Sequence, residues 1–199
     1  MQILKITEEK RGRILVHTDG VDCFPLYKKE AAAWGIAEGA ELSREKWERL
    51  CGELLQKRAI RRAMYLLQQM DRTEAQLRRK LAEGHYPPEL IDGAVAYVES
   101  YHYIDDFRYA CTYIRFHQSQ KSRLQLKLAL LQRGVPAETA EQAIEEEYGD
   151  CEEELIQKFL EKKQYDPEQT DWKEKQKICQ SLARKGFPIS KIKRLMDLT

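Results

Sequence analysis

Basic side chains gather at intervals along this 199-residue chain, where they could neutralise an anionic polymer. From Lys57 to Lys80 there are eight (Lys57, Arg58, Arg61, Arg62, Arg72, Arg78, Arg79 and Lys80) against only Asp71 and Glu74. Lys158 to Arg194 holds eleven more, whereas Glu138 to Glu154 holds nine acidic residues and no basic one. The formal net charge is only +1, yet each block keeps its own local field. Clustered Lys and Arg bind phosphate by ion pairing and counterion release, a chemistry that is salt-dependent and indifferent to base sequence. The acidic block would repel DNA and is expected to face protein or solvent.

Other residues invite chemistry less strongly. Asp105-Asp106 could begin a metal-dependent nuclease site, but paired metals need further carboxylates converging on one point, and an N-cap at a module boundary accounts for them better. His102, Cys111 and His117 lack ligand spacing on one helix face. Tyr101, Tyr103, Tyr109 and Tyr113 could stack on bases, although packing between helices is the commoner use of such side chains. No G-x-x-x-x-G-K-[ST] stretch cradles a nucleoside triphosphate. The expectation is therefore a protein without catalytic residues, cofactor or metal. Five cysteines, odd in number and never in a C-x-x-C pair, read as reduced thiols. The start of the chain breaks into charge at Lys5 and no apolar run is long enough for a bilayer, so a cytoplasmic protein is expected.

The elements that must position these charges repeat. Leu77, Leu81, Tyr86, Pro87, Ile91 and Val95 recur as Leu126, Leu130, Val135, Pro136, Ala140 and Ile144, and again as Ile178, Leu182, Phe187, Pro188, Ile192 and Met196. The offsets, 49 and then 52 residues, are constant within each copy, so one supersecondary unit is built three times. Each copy reads as three helices. Thr73, Ser122 and Thr170 are the expected caps of the second helices, Gly134 and Gly186 their left-handed stops, and Ser190 a local cap. The apolar residue before each Pro (Tyr86, Val135 or Phe187) should drop into the junction of its three helices.

Residues 1–55 differ. Ile3–Ile6, Arg13–Thr18 and Val21–Leu26 read as a small antiparallel meander with Asp19-Gly20 as a hairpin turn. Such a sheet is too small to stand alone. Lys28 to Trp34 reads as a short helix, Ser43 as the cap of another, and Gly52 as a bend or break before Arg58. The fold expected is mainly α: three three-helix repeats at 56–104, 105–150 and 151–199 behind an N-terminal β-meander plus helix at 1–55.

At this resolution of detail the motifs carry a resemblance. Arg72-Thr73-Glu74-Ala75-Gln76-Leu77-Arg78-Arg79-Lys80-Leu81 resembles the R-S-E-x-E-L-x-x-K-L signature of the bacterial RecX regulatory family. Tyr103-Ile104-Asp105-Asp106-Phe107-Arg108-Tyr109-Ala110 resembles its G-Y-L-D-D-x-R-F-A signature, and Lys121 with Leu126, Leu130, Arg133, Gly134 and Val135 resembles its K-G-x-x-x-I-x-x-x-L-x-x-x-G-I stretch. Two departures touch local turns: Ser122 stands where the family usually has Gly, and His85 occupies the helix-stop position, with Gly84 one residue early.

The resemblance implies a monomeric cytoplasmic modulator of the RecA recombinase in DNA repair, homologous recombination and the SOS response. It would bind RecA and its filament on single-stranded DNA, and double-stranded DNA as well. Inhibition of ATP hydrolysis, strand exchange and filament growth is the expected direction. The residues expected to meet these partners are Arg72, Arg78, Arg79 and Lys80 in the first repeat and Lys121, Arg123, Lys127 and Arg133 in the second. Three-helix units with basic second helices also resemble helix-turn-helix domains, so a sequence-independent DNA-binding module acting without a recombinase stays open. An interaction with DNA alone would not require the acidic block.

Overall fold

The computed structural model describes residues 1–149 and 151–198. Its contacts divide the chain into two compact units, Met1–Asp105 and a second beginning at Asp106. The first unit opens with β1 (Ile3–Glu8), β2 (Arg13–Thr18) and β3 (Cys23–Tyr27), an antiparallel sheet in that order. Val16 faces Phe24 and Ile14 faces Leu26 across the β2–β3 ladder, so one face is apolar throughout. That face does lean on helices: α1 (Lys28–Ala33), α2 (Arg44–Leu50) and Leu90 of the first repeat share its core, with Trp47 tilted 4.9 Å from Phe24. Pro25 is tolerated because β3 is an edge strand.

Two local expectations need amendment here. β2–β3 pairing stops at His17–Cys23, so the connection between Thr18, the last residue of β2, and Cys23 is longer than Asp19-Gly20 suggests. The Thr18 hydroxyl closes it, accepting from the Val21 amide at 2.9 Å and donating to the Val21 carbonyl at 2.6 Å, while Asp19 turns to accept from the Gln2 amide at 2.7 Å. The bend expected at Gly52 is a single π-type stretch, Cys51–Leu55, which runs without a break into α3 (Gln56–Gln69).

The first repeat is α3 with α4 (Glu74–Ala82) and α5 (Pro88–Ser100). In the second unit come α6 (Asp106–His117), α7 (Arg123–Gln132) and α8 (Ala137–Glu147), then α9 (Glu152–Lys162), α10 (Trp172–Arg184) and α11 (Ile189–Leu195). Each triplet has its own apolar cluster, and every one of the eighteen repeated positions other than the three prolines belongs to it. Each fully buried leucine, such as Leu77, Leu81, Leu126, Leu130 and Leu182, stabilises its unit by removing a whole side chain from water.

The three second helices end identically. The amide of Tyr86 reaches back to the Leu81 carbonyl at 3.4 Å, Val135 to Leu130 at 3.1 Å and Phe187 to Leu182 at 3.3 Å. His85, Gly134 and Gly186 make the inner bonds of the same motif at 2.8–2.9 Å, all with positive φ (60°, 84° and 85°). His85 thus adopts the left-handed conformation itself, and Gly84 is needed for another reason: a Cβ there would sit 2.9 Å from the Leu81 carbonyl and 3.1 Å from the Tyr86 ring. Thr73 and Ser122 cap α4 and α7 with reciprocal Gln76 and Gln125 side chains. In the third repeat the cap is Asp171 rather than Thr170, because the Thr170 hydroxyl already accepts from the Asp166 amide at 3.1 Å. Ser190 lies inside the first turn of α11 and caps nothing, since Pro188 precedes that helix.

Candidate nucleic-acid interface

Leu77 and Leu81 turn inward on α4, and this orientation directs the charges between them outward. Arg78 is clamped by two carboxylates, Glu74 and Asp92, each at 2.5 Å; these bonds, Asp92 first, raise its pKa further. Lys80 donates to Glu83 at 2.6 Å and so holds that carboxyl below its ordinary range. Arg72 points back to the Leu66 carbonyl at 3.4 Å. Arg79 is exposed and pairs with no carboxylate among the described residues.

The second-repeat set is compensated within its own repeat. Lys121 donates to the Tyr113 hydroxyl at 2.6 Å, and Arg133 stacks 4.4 Å above the same ring while donating to the Ala129 carbonyl at 2.8 Å. Lys127 pairs with Glu141, and Arg123 lies 3.9 Å from Glu145. Both glutamates come from the acidic block, whose other members take Arg115 (Glu147), Lys191 (Glu152) and Arg194 (Glu153). Charges segregated along the sequence are therefore mixed in space. On α7 the outward face is also apolar: Leu124, Leu128 and Leu131 are exposed beside these cations. Exposed ion pairs of this kind are weak, so phosphate can exchange for a carboxylate partner at little cost.

A stronger basic feature lies within the first unit, where a cleft of about 900 Å³ opens between the sheet and the first repeat. Lys10, Arg11 and Arg13 line it from the β1–β2 turn, and Arg58, Arg61 and Arg62 from α3. Lys80, Glu83, Gly84 and Tyr86 close the far wall. Arg13 ties the two walls together, with its Nε 3.0 Å from Glu9 and its Nη2 donating to the Gly84 carbonyl. Arg58 bridges similarly, donating to the Pro25 carbonyl at 3.1 Å and pairing with Glu30. Burial pushes the Tyr86 phenol up, against the opposing pull of Arg58, Arg13 and Arg62 around it. The α3 half of this cleft falls in the first basic block of the sequence. The signal that was missed is Lys10-Arg11-Gly12-Arg13, three cations in four residues at a strand junction.

The remaining candidates disperse. Tyr101 stacks 5.9 Å from Tyr103 and lies tilted 5.0 Å from Tyr97, all three exposed, whereas Tyr113 is buried and Tyr109 packs against the second-repeat core. Cys111 is buried in that core, and the His117 ring lies 4.3 Å from Tyr113. Among the described residues no group of three His, Cys, Asp or Glu side chains is arranged to hold a metal ion. Nor is any described helix long and apolar enough to cross a membrane.

Comparison with known proteins agrees with the three-fold repetition. Residues 59–97, 105–144 and 150–196 match, in order, the first, second and third three-helix domains of RecX. A regulatory protein RecX from Caldanaerobacter subterraneus subsp. tengcongensis is 32% identical over 196 residues, covering 98% of this chain and 97% of the relative. Another from Limosilactobacillus reuteri is 27% identical, covering 98% of this chain and 76% of its own length. The crystal structure of a regulatory protein RecX superposes with a TM-score of 0.68 at 26% identity, covering 99% of this chain and all of the other.

Proposed function

This chain belongs to the RecX family of regulatory proteins, and we propose that it binds the RecA recombinase and its filament on single-stranded DNA and suppresses ATP hydrolysis, strand exchange and filament growth. It acts as a monomer in the cytoplasm, without catalysis, in recombinational DNA repair and the SOS response. The observation that carries this reading is the ordered run of three family domains in a chain that aligns with regulatory relatives almost from end to end. Repetition of one small module suits a partner that is itself repetitive.

The proposed contact surface is Arg72, Arg78, Arg79 and Lys80 with Lys121, Arg123, Lys127 and Arg133. Its support is the arrangement of second helices that bury their leucines and turn these charges outward. Ion pairs with Glu141 and Glu145 give the second set a way to discriminate: they hold Lys127 and Arg123 until a denser anion displaces the carboxylates. A partner of both protein and nucleic acid fits this mixed surface better than DNA alone. The test is retention of the protein on recombinase assembled on immobilised single-stranded DNA. Tighter binding to the filament than to bare DNA is expected; equal binding to both favours the plain DNA-binding module.

A further inference from the structure

The cleft between the sheet and the first repeat lies apart from most of the residues discussed for the filament, and its charge is not balanced. Seven cations face two carboxylates, Glu9 and Glu83. Arg13 and Lys80 take those two, and Arg58 takes Glu30. Lys10, Arg11, Arg61 and Arg62 are left with no carboxylate partner among the described residues. Like charges gathered around one cleft raise its positive potential, which an anion between them would relieve.

Its construction is specific. Arg11 is held at a left-handed φ of 62°, followed by Gly12 at 75°, in the tight turn Lys10–Gly12 that delivers both cations to the rim. A non-glycine residue in that conformation carries strain that the surrounding structure must sustain. Opposite, Arg58, Arg61, Arg62 and Tyr65 follow helical spacing along one face of α3. Each end of this row has an aromatic face: the Arg58 guanidinium lies 5.1 Å over the Tyr27 ring and that of Arg62 lies 5.5 Å over the Tyr65 ring. Tyr27 and Tyr65 are both about half exposed.

We infer that this cleft holds the phosphodiester backbone of a single-stranded nucleic acid, with unstacked bases lying against Tyr27 and Tyr65. Cations track the backbone and tyrosines accept any base, the combination that single strands require. A volume of about 900 Å³ has room for a few nucleotides, and a duplex, whose bases are already stacked on one another, could not offer them to the tyrosines. An acidic protein surface would satisfy the cations but make no call on the exposed parts of the two tyrosine rings that the arginines leave uncovered. The inference rests on the filament-binding reading for its biological setting, but it places DNA contact in the N-terminal part of the chain, on residues that, Lys80 apart, that reading does not need.

The experiment is fluorescence anisotropy of a labelled oligothymidylate with the full-length protein and no recombinase, alongside the recombinase ATPase assay. Double variants Lys10→Glu/Arg11→Glu and Arg61→Glu/Arg62→Glu, with circular dichroism to verify folding, should each weaken binding by at least about tenfold and flatten its salt dependence. Tyr65→Ala, which leaves the charge unchanged, should weaken it by about tenfold as well. Lys173→Glu/Lys177→Glu on exposed α10 carries the same charge change and should bind like the wild type. Equal losses from the α10 and cleft variants would overturn the inference in favour of net charge alone. Wild-type DNA binding by the cleft variants would overturn it too, and if they also lost inhibition the occupant would be protein. A wild-type protein that inhibits the recombinase yet binds no oligonucleotide would overturn the cleft assignment and leave the proposed function standing.

Discussion

The Ser122 hydroxyl donates to the Lys185 carbonyl while also accepting from the Gln125 amide at 3.2 Å, so the residue that caps α7 also grips the turn that closes α10. Ser122 is fully buried, and the same turn presents Gly186 at φ 85° directly against the Leu124 side chain. A glycine at position 122 could make neither bond. The serine thus joins the second and third repeats of one unit through a single oxygen.

Replacing Ser122 by Ala should remove the cap and leave the Lys185 carbonyl without this donor. A loss of about 1–3 kcal/mol is expected in urea denaturation, larger than for an exposed cap. A change within error would show that water substitutes for the hydroxyl.

Gly186→Ala should cost more than 1 kcal/mol, roughly, because it adds left-handed strain to a clash with Leu124. The companion His85→Gly should do the reverse. It relieves a non-glycine residue at φ 60° and should raise stability by up to about 1 kcal/mol. A loss instead would mean that the contacts of His85 with Cys23 (3.6 Å) and Glu9 (4.0 Å) outweigh the strain.

Leu81→Ala and Leu130→Ala should each cost about 2–5 kcal/mol, as truncation of fully buried leucines does. Denaturation midpoints unchanged at both positions would mean that the repeats do not depend on these side chains.

His117 supplies a pH dependence. Burial, then the nearby charges of Lys121 and Arg133, hold its imidazole below the ordinary 6.5. The unfolded chain therefore takes up this proton at higher pH than the folded one, so the stabilising contribution is full above 6.5 and falls away as the pH drops through it. His117→Gln should flatten the change in denaturation midpoint between about pH 5 and 7. Parallel profiles for the variant and the parent would assign the slope to other groups.

The repeats were legible because Leu77, Leu81, Tyr86 and Pro87 return at fixed offsets, and each return marks the same buried positions and helix stop. The left-handed state of His85 was not, since a histidine there announces nothing about φ. Charge was read only in blocks. Lys127 and Glu141 are 14 residues apart and Lys191 and Glu152 are 39 apart, so neither pair follows from helical spacing within one element. The cleft stayed hidden for the same reason: its two walls, the Lys10–Gly12 turn and α3, meet only when the sheet folds onto the first repeat.

Restraint of the recombinase through the basic helix faces, as proposed, is read most directly in the rate of single-stranded-DNA-dependent ATP hydrolysis by RecA. The parent protein should suppress that rate in a concentration-dependent way. A clustered reversal of Arg72, Arg78, Arg79, Lys80, Lys121, Arg123, Lys127 and Arg133 to Glu should keep the helical circular dichroism and abolish suppression. An unchanged ATPase rate at saturating parent protein, or full suppression by the folded charge-reversed variant, would contradict it.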